Sequence, residues 1–267
     1  MKSSVAFTVL GGDTRMRACA AGLLDLGYTV CDLPHFSEEG LSLCLPDTGI
    51  LILPIPAFSD GKITGSDLGA EQLLSLVRPE CLMFGGVVPR EYADRIIDYN
   101  QDEAFQLSGA IATAEAAISI LVQELPITLD GSNVLIIGNG RIGKALSRRL
   151  SDLGVDVTVS ARKQADWLDI AAQGLRTDHT GIYHHGLQYH CIINTVPAPV
   201  LSAEQLKRVP KDCLLVDLAS KPGGLDWQAC KELGLKTIHA LALPGKTAPI
   251  TSGLAIRDTV LNHLNLL

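Results

Sequence analysis

The chain has 267 residues, of which 47% are hydrophobic and 19% charged, and its formal net charge is −7. This composition is typical of a globular protein large enough for two modest domains, and it excludes a disordered chain. The acidic balance argues against nucleic acid as a partner, because binding to a phosphate backbone requires a basic face. The sequence shows no signal peptide and no membrane-length apolar run, so we expect a cytoplasmic protein with no membrane partner.

The first part of the chain alternates strand and helix patterns. We predict strands at residues 5–10, 29–33, 50–55 and 81–84, helices at 14–26, 70–77 and 89–100, and a polar loop at 59–65. Such alternation is typical of a parallel, doubly wound sheet. A further helix at 113–125 is apolar on nearly every side, which predicts a buried helix that connects two domains.

The second part repeats the alternation. We predict strands at 134–137, 156–160, 191–194, 214–217 and 237–239, and a closing helix at 251–267. The sequence therefore predicts an α/β fold with two doubly wound, Rossmann-like domains joined by a buried helix. The predicted ranges are 1–125 for a substrate domain with the connecting helix, 126–250 for a dinucleotide-binding domain, and 251–267 for a helix that returns to the first domain.

A G-x-G-x-x-G pattern lies between the predicted strand at 134–137 and the helix that follows it. Gly138 permits the tight turn, Gly140 allows a backbone to approach a pyrophosphate, and Gly143 allows close packing of helix on strand. The helix N-terminus offers N–H groups and a partial positive charge to the pyrophosphate. The context of strand, turn and helix therefore predicts dinucleotide binding, and the remaining residues of this turn join the predicted cofactor site: Asn139, Arg141 and Ile142.

The end of the next strand bears on the choice of cofactor. A domain that selects NAD usually places an acid there to bind the ribose 2′-OH, whereas this chain has Ser160, Arg162 and Lys163. A guanidinium and an ammonium suit a 2′-phosphate. The pattern favours NADP, with dual use of NAD and NADP left open.

Other candidate residues follow the predicted strands, because ligands of open α/β sheets gather beyond the carboxyl ends of the strands. On this basis we add Thr195, Pro197 and Ala219 to the cofactor site. The glycines Gly85 and Gly86 follow a strand of the first domain and are assigned to substrate. Three cations also follow strands and are suited to a dicarboxylate: Arg15, Lys221 and Lys246.

Two acids and one of these cations are candidates for proton transfer. Asp13 follows two glycines and precedes a helix, so it serves either as an N-cap or as an acid–base group. Glu115 lies in the small, apolar turn of residues 112–118, where we expect burial and a raised pKa suited to proton transfer. Stabilisation of the helix's first turn is the alternative role of Glu115. Lys221 completes the predicted catalytic set.

The cysteines and histidines carry no metal or redox motif. The seven cysteines are scattered without a C-x-x-C pair, so we expect reduced thiols in the core. Four histidines cluster between residues 179 and 190, but neither an acid nor helical spacing supports them as ligands, and we predict a solvated loop and no metal site.

Several segments in chain order resemble the A component of dipicolinate synthase from endospore-forming bacteria. They are Gly11-Gly-Asp-Thr-Arg15, Thr113-Ala-Glu115, Gly138-Asn-Gly-Arg-Ile-Gly143, Ile193-Asn-Thr-Val-Pro197, Val216-Asp-Leu-Ala-Ser-Lys-Pro-Gly-Gly224 and Leu243-Pro-Gly-Lys-Thr-Ala-Pro249. The chain departs from the family pattern at Lys246, where an apolar residue is expected, which puts a substrate role for Lys246 in doubt.

The resemblance implies that the chain oxidises a dihydro- or hydroxytetrahydrodipicolinate of the lysine pathway to dipicolinate during sporulation. It implies NADP as cofactor, and its implied partner is the flavoprotein-like B subunit of dipicolinate synthase. Homo-oligomers remain possible. Two rival hypotheses stay open, a shikimate-dehydrogenase-like reductase and a non-catalytic, NADP-binding regulatory subunit. The rival reductase normally shows a Lys/Asp pair for proton transfer, and we find no convincing pair.

Overall fold

The computed structural model describes residues 6–266, so Val5 of the first predicted strand and Leu267 of the closing helix lie outside it. The chain divides into two compact units. The first comprises the residues up to Gly109 together with those from Ala248 onward, and the second is Ala110–Thr247. Residues 110–125 thus group with the second unit and residues 248–250 with the first, which differs from the predicted ranges.

The first unit contains a five-stranded parallel sheet. Its strands lie in the order β2-β1-β3-β6-β7, one of the common doubly wound orders. The bounds are β1 Ala6–Leu10, β2 Thr29–Leu33, β3 Ile50–Ile52, β6 Leu82–Gly85 and β7 Ile96–Asp98. A separate hairpin pairs β4 (Phe58–Ser59) with β5 (Lys62–Ile63), so the predicted loop at 59–65 contains a short antiparallel pair.

The helices of the first unit are α1 (Thr14–Asp25), α2 (Glu38–Cys44), α3 (Ala70–Leu76) and α10 (Pro249–His263). The C-terminal helix α10 packs against α1, and its residues Ile256 and Val260 share a core with Met16 and Leu23. The contact is close, because a Cβ on Gly22 of α1 would lie 2.7 Å from Leu254 Cδ2.

The second unit contains a six-stranded parallel sheet in the order β10-β9-β8-β11-β12-β13. This is the order of the dinucleotide-binding doubly wound fold, with its switch point between β8 and β11. The bounds are β8 Asn133–Ile137, β9 Asp156–Ala161, β10 Arg176–His179, β11 Cys191–Asn194, β12 Leu214–Asp217 and β13 Lys236–His239. The predicted fold class, with two parallel doubly wound sheets, is confirmed.

The helices of the second unit cover this sheet. They are α5 (Arg141–Asp152), α6 (Gln164–Ala172), α7 (Ala203–Leu206), α8 (Trp227–Glu232) and α9 (Leu243–Thr247). In α5 the apolar residues Leu146 and Leu150 lie four positions apart, hence on one face, and both are fully buried beneath the sheet.

Helix α4 (Glu103–Glu124) runs from the first unit into the second and is longer than predicted. Its small residues Ala114, Ala116 and Ala117 pack with Leu121 in the core of the second unit. By length and composition α4 could cross a membrane, with a mean hydropathy of 1.5. Core helices of globular proteins pass the same test, and α4 therefore carries no argument for a membrane protein.

Three predicted elements are wrong. The helix predicted at 89–100 is absent, because Pro89 begins a short 3₁₀ turn, Arg90–Tyr92, and β7 then completes the sheet. The segment of residues 243–247, predicted as a loop, forms α9. The prediction of reduced core cysteines is wrong for Cys31 and Cys44, which form a disulfide between β2 and the end of α2.

The other five cysteines are buried free thiols, as predicted. Burial raises the pKa of the Cys19 thiol to about 12 and that of Cys230 to about 11. Because the thiolate is the reactive species, these groups are inert near neutral pH.

Candidate functional site at the carboxyl edge of the second sheet

The turn after β8 requires glycine at its first position. Gly138 has a φ of +105°, and a Cβ there would lie 2.6 Å from Thr195 Oγ1 and 2.8 Å from Val196 Cγ2. The Thr195 hydroxyl itself donates to the carbonyl of Ile137 at 2.9 Å. The end of β8 and the loop after β11 are thus in direct contact, and no larger residue fits between them.

The other two glycines of the pattern leave room for a ligand. A Cβ on Gly143 would overlap the carbonyl of Gly138, so α5 begins directly against the turn. Gly140 is the N-cap of α5, makes no side-chain cap, and has no atom within 4 Å of an added Cβ. The N-terminus of α5 is therefore an open cradle, and its N–H groups and dipole suit a pyrophosphate.

Sequence reasoning missed the residue that holds this turn in place. Asn139 Nδ2 donates to Asp169 Oδ2 of α6 at 2.9 Å, and Lys144 Nζ lies 3.0 Å from the same oxygen. The hydrogen bond from Asn139, followed by that from Lys144, holds the pKa of Asp169 below its usual range. No motif links Asp169 to the turn, because the contact joins two helices 30 residues apart.

The predicted neighbours Arg141 and Ile142 open α5. The Arg141 side chain is exposed, and Ile142 is half-buried against the core of the second unit. Asn139 to Gly143 therefore form one continuous rim around the cradle, as the pattern predicts.

The three residues expected to meet a 2′-phosphate lie in two different environments. Ser160 is fully buried and its hydroxyl lies 3.1 Å from that of Thr180, so the structure does not support direct contact between Ser160 and a ligand. Arg162 and Lys163 are both exposed in the loop after β9. Within residues 6–266 neither has a side-chain hydrogen bond or an ion pair. Two free cations thus stand where a phosphate contact is predicted.

The loops after β11 and β12 also lie on this edge of the sheet. Pro197 is exposed beyond β11. Ala219 is buried, and its N–H is used by the carboxylate of Asp217 at 3.0 Å. Lys221 is exposed in the same loop and makes no ion pair in the described part of the chain, so its ammonium is free to bind an anion. Lys246 is also exposed, on α9.

In the first unit, Asp13 and Arg15 are engaged with each other. Asp13 caps α1 by accepting from the N–H groups of Arg15 and Met16 at 2.9 and 3.1 Å. Arg15 Nη2 lies 2.6 Å from Asp13 Oδ2 and donates to the carbonyl of Ile55 at 3.0 Å. The pair joins the start of α1 to the loop after β3, which is a structural use of both charges.

Gly85 and Gly86 are buried and serve packing. A Cβ on Gly86 would lie 2.8 Å from Tyr99, and the N–H of Gly86 donates to the carbonyl of Pro54 at 3.1 Å. A Cβ on Gly85 would lie 3.0 Å from the Ala57 Cβ. The structure thus provides no free surface at these glycines for the substrate contact that the sequence predicts.

The prediction that Glu115 is buried is wrong. Its side chain is 62% exposed and lies 3.8 Å from the guanidinium of Arg149, because the buried face of α4 is made by the alanines on either side of it. Removal of the expected burial removes the physical argument for a proton-transfer role of Glu115.

The histidine-rich segment after β10 is organised by a buried acid and not by a metal. Asp178 accepts the N–H groups of His179, His184 and His185 at 2.6, 2.8 and 3.3 Å. In residues 6–266 no group of three His, Cys, Asp or Glu side chains is arranged to hold a metal ion.

Comparisons with known proteins agree with the geometry. No protein-family model matches the chain. The A component of dipicolinate synthase of Bacillus subtilis is 28% identical over 95% of this chain and 93% of its own length. The crystal structure of the A chain of dipicolinate synthase from Bacillus subtilis superposes with a TM-score of 0.87 at 24% identity, covering 99% of this chain and 97% of that one. A transhydrogenase from Sinorhizobium meliloti has a TM-score of 0.71 at 12% identity, covering 97% of this chain and 93% of its own, and so shares the fold. The resemblance seen in the sequence is confirmed.

Proposed function

From the similarity of this chain to the A component of dipicolinate synthase along 95% of its length, we propose that it is an NADP-dependent oxidoreductase that forms dipicolinate. The observation that carries the proposal is the carboxyl edge of the second sheet. There an open cradle at the N-terminus of α5 adjoins two loops with unpaired cations. This arrangement suits a dinucleotide with an extra phosphate beside a small dianion.

The residues that would hold the cofactor are those of the cradle and its neighbouring loops. The N-terminus of α5 suits the pyrophosphate, and Arg162 with Lys163 suits the 2′-phosphate. The side chain of Thr195 packs against Gly138 and keeps the cradle open from the other side. When bound, the nicotinamide accepts the hydride that leaves the substrate ring.

The substrate is proposed to be a dihydro- or hydroxytetrahydrodipicolinate of the lysine pathway. The hydroxylated form first loses water. The dihydro ring then loses one hydride and one proton and becomes an aromatic pyridine. Since aromatisation makes this oxidation favourable, the protein has chiefly to position the ring.

Lys221 is the predicted catalytic residue that the structure leaves unengaged. Its ammonium is exposed and free of acidic partners in residues 6–266, so it suits one carboxylate of the dianion. Asp13 and Arg15 satisfy each other, and Glu115 faces solvent beside Arg149. Among the predicted candidates, Lys221 is therefore the group we assign to the substrate.

The partner of the proposed enzyme is a second, flavoprotein-like protein, because the similar protein from Bacillus subtilis is itself one of the subunits of dipicolinate synthase. The proposed setting is the cytoplasm of a sporulating cell. Both statements depend on the resemblance and on no contact in this chain.

The deciding experiment supplies the purified chain with NADP⁺ and the lysine-pathway hydroxytetrahydrodipicolinate, with and without the candidate B subunit. We expect a rise in absorbance from NADPH and an equal amount of dipicolinate by mass spectrometry. Reactions without protein control for spontaneous oxidation. Cofactor binding without turnover in either mixture would favour the regulatory role, and turnover with shikimate would favour the rival reductase.

A further inference from the structure

Two polar side chains at the ends of β11 and β12 are completely buried. Asn194 and Asp217 are register partners on these adjacent strands, and both are 0% exposed. Asn194 Nδ2 donates to Asp217 Oδ1 at 2.7 Å. We refer to them as the Asn194–Asp217 pair. Sequence reasoning passed over both, because each reads as the polar end of an apolar strand.

The Asp217 carboxylate ties down both ends of the segment that carries Lys221. Its Oδ1 accepts the N–H of Ala219 at 3.0 Å, and its Oδ2 accepts the N–H of Gly224 at 2.8 Å. With the bond from Asn194, three donors point at this one group. An acceptor-only side chain is therefore required at position 217, since an amide would turn its own N–H₂ toward at least one of them.

Asn194 holds the neighbouring loop in the same way. Its Oδ1 accepts the N–H of Val196 at 3.0 Å, and its Nδ2 donates to the carbonyl of Val196 at 2.9 Å. The loop of residues 195–197 that adjoins Gly138 is thus fixed to the same pair. A buried, fully satisfied network of this kind specifies one conformation of the backbone around it.

The glycines at the end of the segment are shaped to the pair. A Cβ on Gly224 would lie 2.6 Å from Asn194 Cγ, and a Cβ on Gly223 would lie 2.7 Å from Asp217 Oδ2. Gly223 also has a φ of +81°. The double glycine that makes this motif distinctive therefore lets the segment close over the buried pair.

We propose that Asn194 and Asp217 are positioning residues for the dianionic substrate. By fixing residues 218–224 at both ends, the pair sets where the Lys221 ammonium stands relative to the loop of residues 195–197. The inference rests on the proposed function for its substrate class. It adds that substrate affinity depends on two side chains that have no exposed surface.

The test uses Asp217→Asn, which keeps the side chain's size, and Gly224→Ala, which presses on Asn194 without removing a polar group. Gly109→Ala is the matched control, because a Cβ there meets nothing within 4 Å. Amide hydrogen exchange is measured over residues 218–224 and 133–137. Calorimetry measures the affinities for dipicolinate and for NADPH.

For both test variants we expect at least tenfold faster exchange in residues 218–224, unchanged exchange in β8, and at least tenfold weaker binding of dipicolinate. The affinity for NADPH should stay within about threefold, because the cradle of α5 is untouched, and Gly109→Ala should match the wild type in every readout.

Three outcomes would overturn the assignment. Faster exchange with wild-type dipicolinate affinity would show that order in this segment does not serve the substrate. A parallel fall in dipicolinate affinity, NADPH affinity and melting temperature would show a scaffold role alone. If the wild type binds no dipicolinate while Asp217→Asn still speeds exchange, the substrate class fails together with this assignment, although the pair's hold on the segment stands.

Discussion

Arg162→Ala should weaken the binding of NADP and leave the binding of NAD nearly unchanged. The side chain is exposed after β9 and makes no side-chain hydrogen bond or ion pair within residues 6–266. Its removal therefore breaks no contact of the folded state, and the melting temperature should not move. Any loss of affinity then reports a contact with the ligand itself.

The magnitude follows from that exposure. A hydrogen bond to a charged group contributes roughly 1.5–3 kcal/mol, which is about ten- to a hundredfold in affinity. Because solvent screens an exposed guanidinium, we expect the lower end, a loss of about tenfold in the dissociation constant for NADP. The effect should diminish at high salt.

Titration calorimetry with NADP and NAD on the same preparation measures both dissociation constants. Arg148→Ala is the matched control, since Arg148 is also an exposed arginine of the second unit, but lies in the last half of α5 and away from the cradle. Equal weakening for both cofactors, or no change for either, would show that Arg162 does not contact the 2′-phosphate.

Further predictions follow from single contacts. Asp13→Ala should destabilise the fold by about 1 kcal/mol through loss of the α1 cap; unchanged urea unfolding would contradict the capping role. Glu115→Gln should leave kcat and melting temperature close to wild type, because the side chain is exposed; a loss of about 10²-fold or more in kcat would restore it to the mechanism. Burial, opposed by Arg17, raises the pKa of Asp32, so its ionisation costs stability as pH rises through that pKa. Asp32→Asn should therefore stabilise the fold at pH 7 and lose that advantage at a pH below the usual range of a carboxyl, and equal effects at both pH values would be inconsistent with this origin. Mass tagging of the unfolded chain should count five thiols before reduction and seven after it, and seven in both would mean that Cys31 and Cys44 are not joined.

The fold was predictable wherever periodicity was strong. The strands of the second sheet match their predicted ranges to within a residue, except β10, which carries polar residues and a histidine and does not read as a buried strand. The region around β7 failed because Pro89 and an alternation of charged and apolar residues resemble a helix start, whereas pairing with β6 decides the structure.

The candidate site was predictable only where a motif fixes local backbone geometry. The three glycines of the cradle are of that kind. Burial of Glu115 was not, since a helix surrounded by small residues still presents one face to solvent. The roles of Asp169 and the Asn194–Asp217 pair depend on contacts between elements far apart in sequence, and no single-sequence pattern encodes them.

The C-terminal helix α10 has a consequence for synthesis on the ribosome. Its residues Ile256, Val260 and Leu261 complete the core around Met16, so the first unit lacks part of its interior until the last residues leave the exit tunnel. The second unit is continuous from Ala110 to Thr247 and has all its strands earlier. Nascent chains should then mature in reverse of the usual N-to-C order. A premature stop just before Pro249 would release a molecule whose first unit exposes apolar surface to chaperones and proteases.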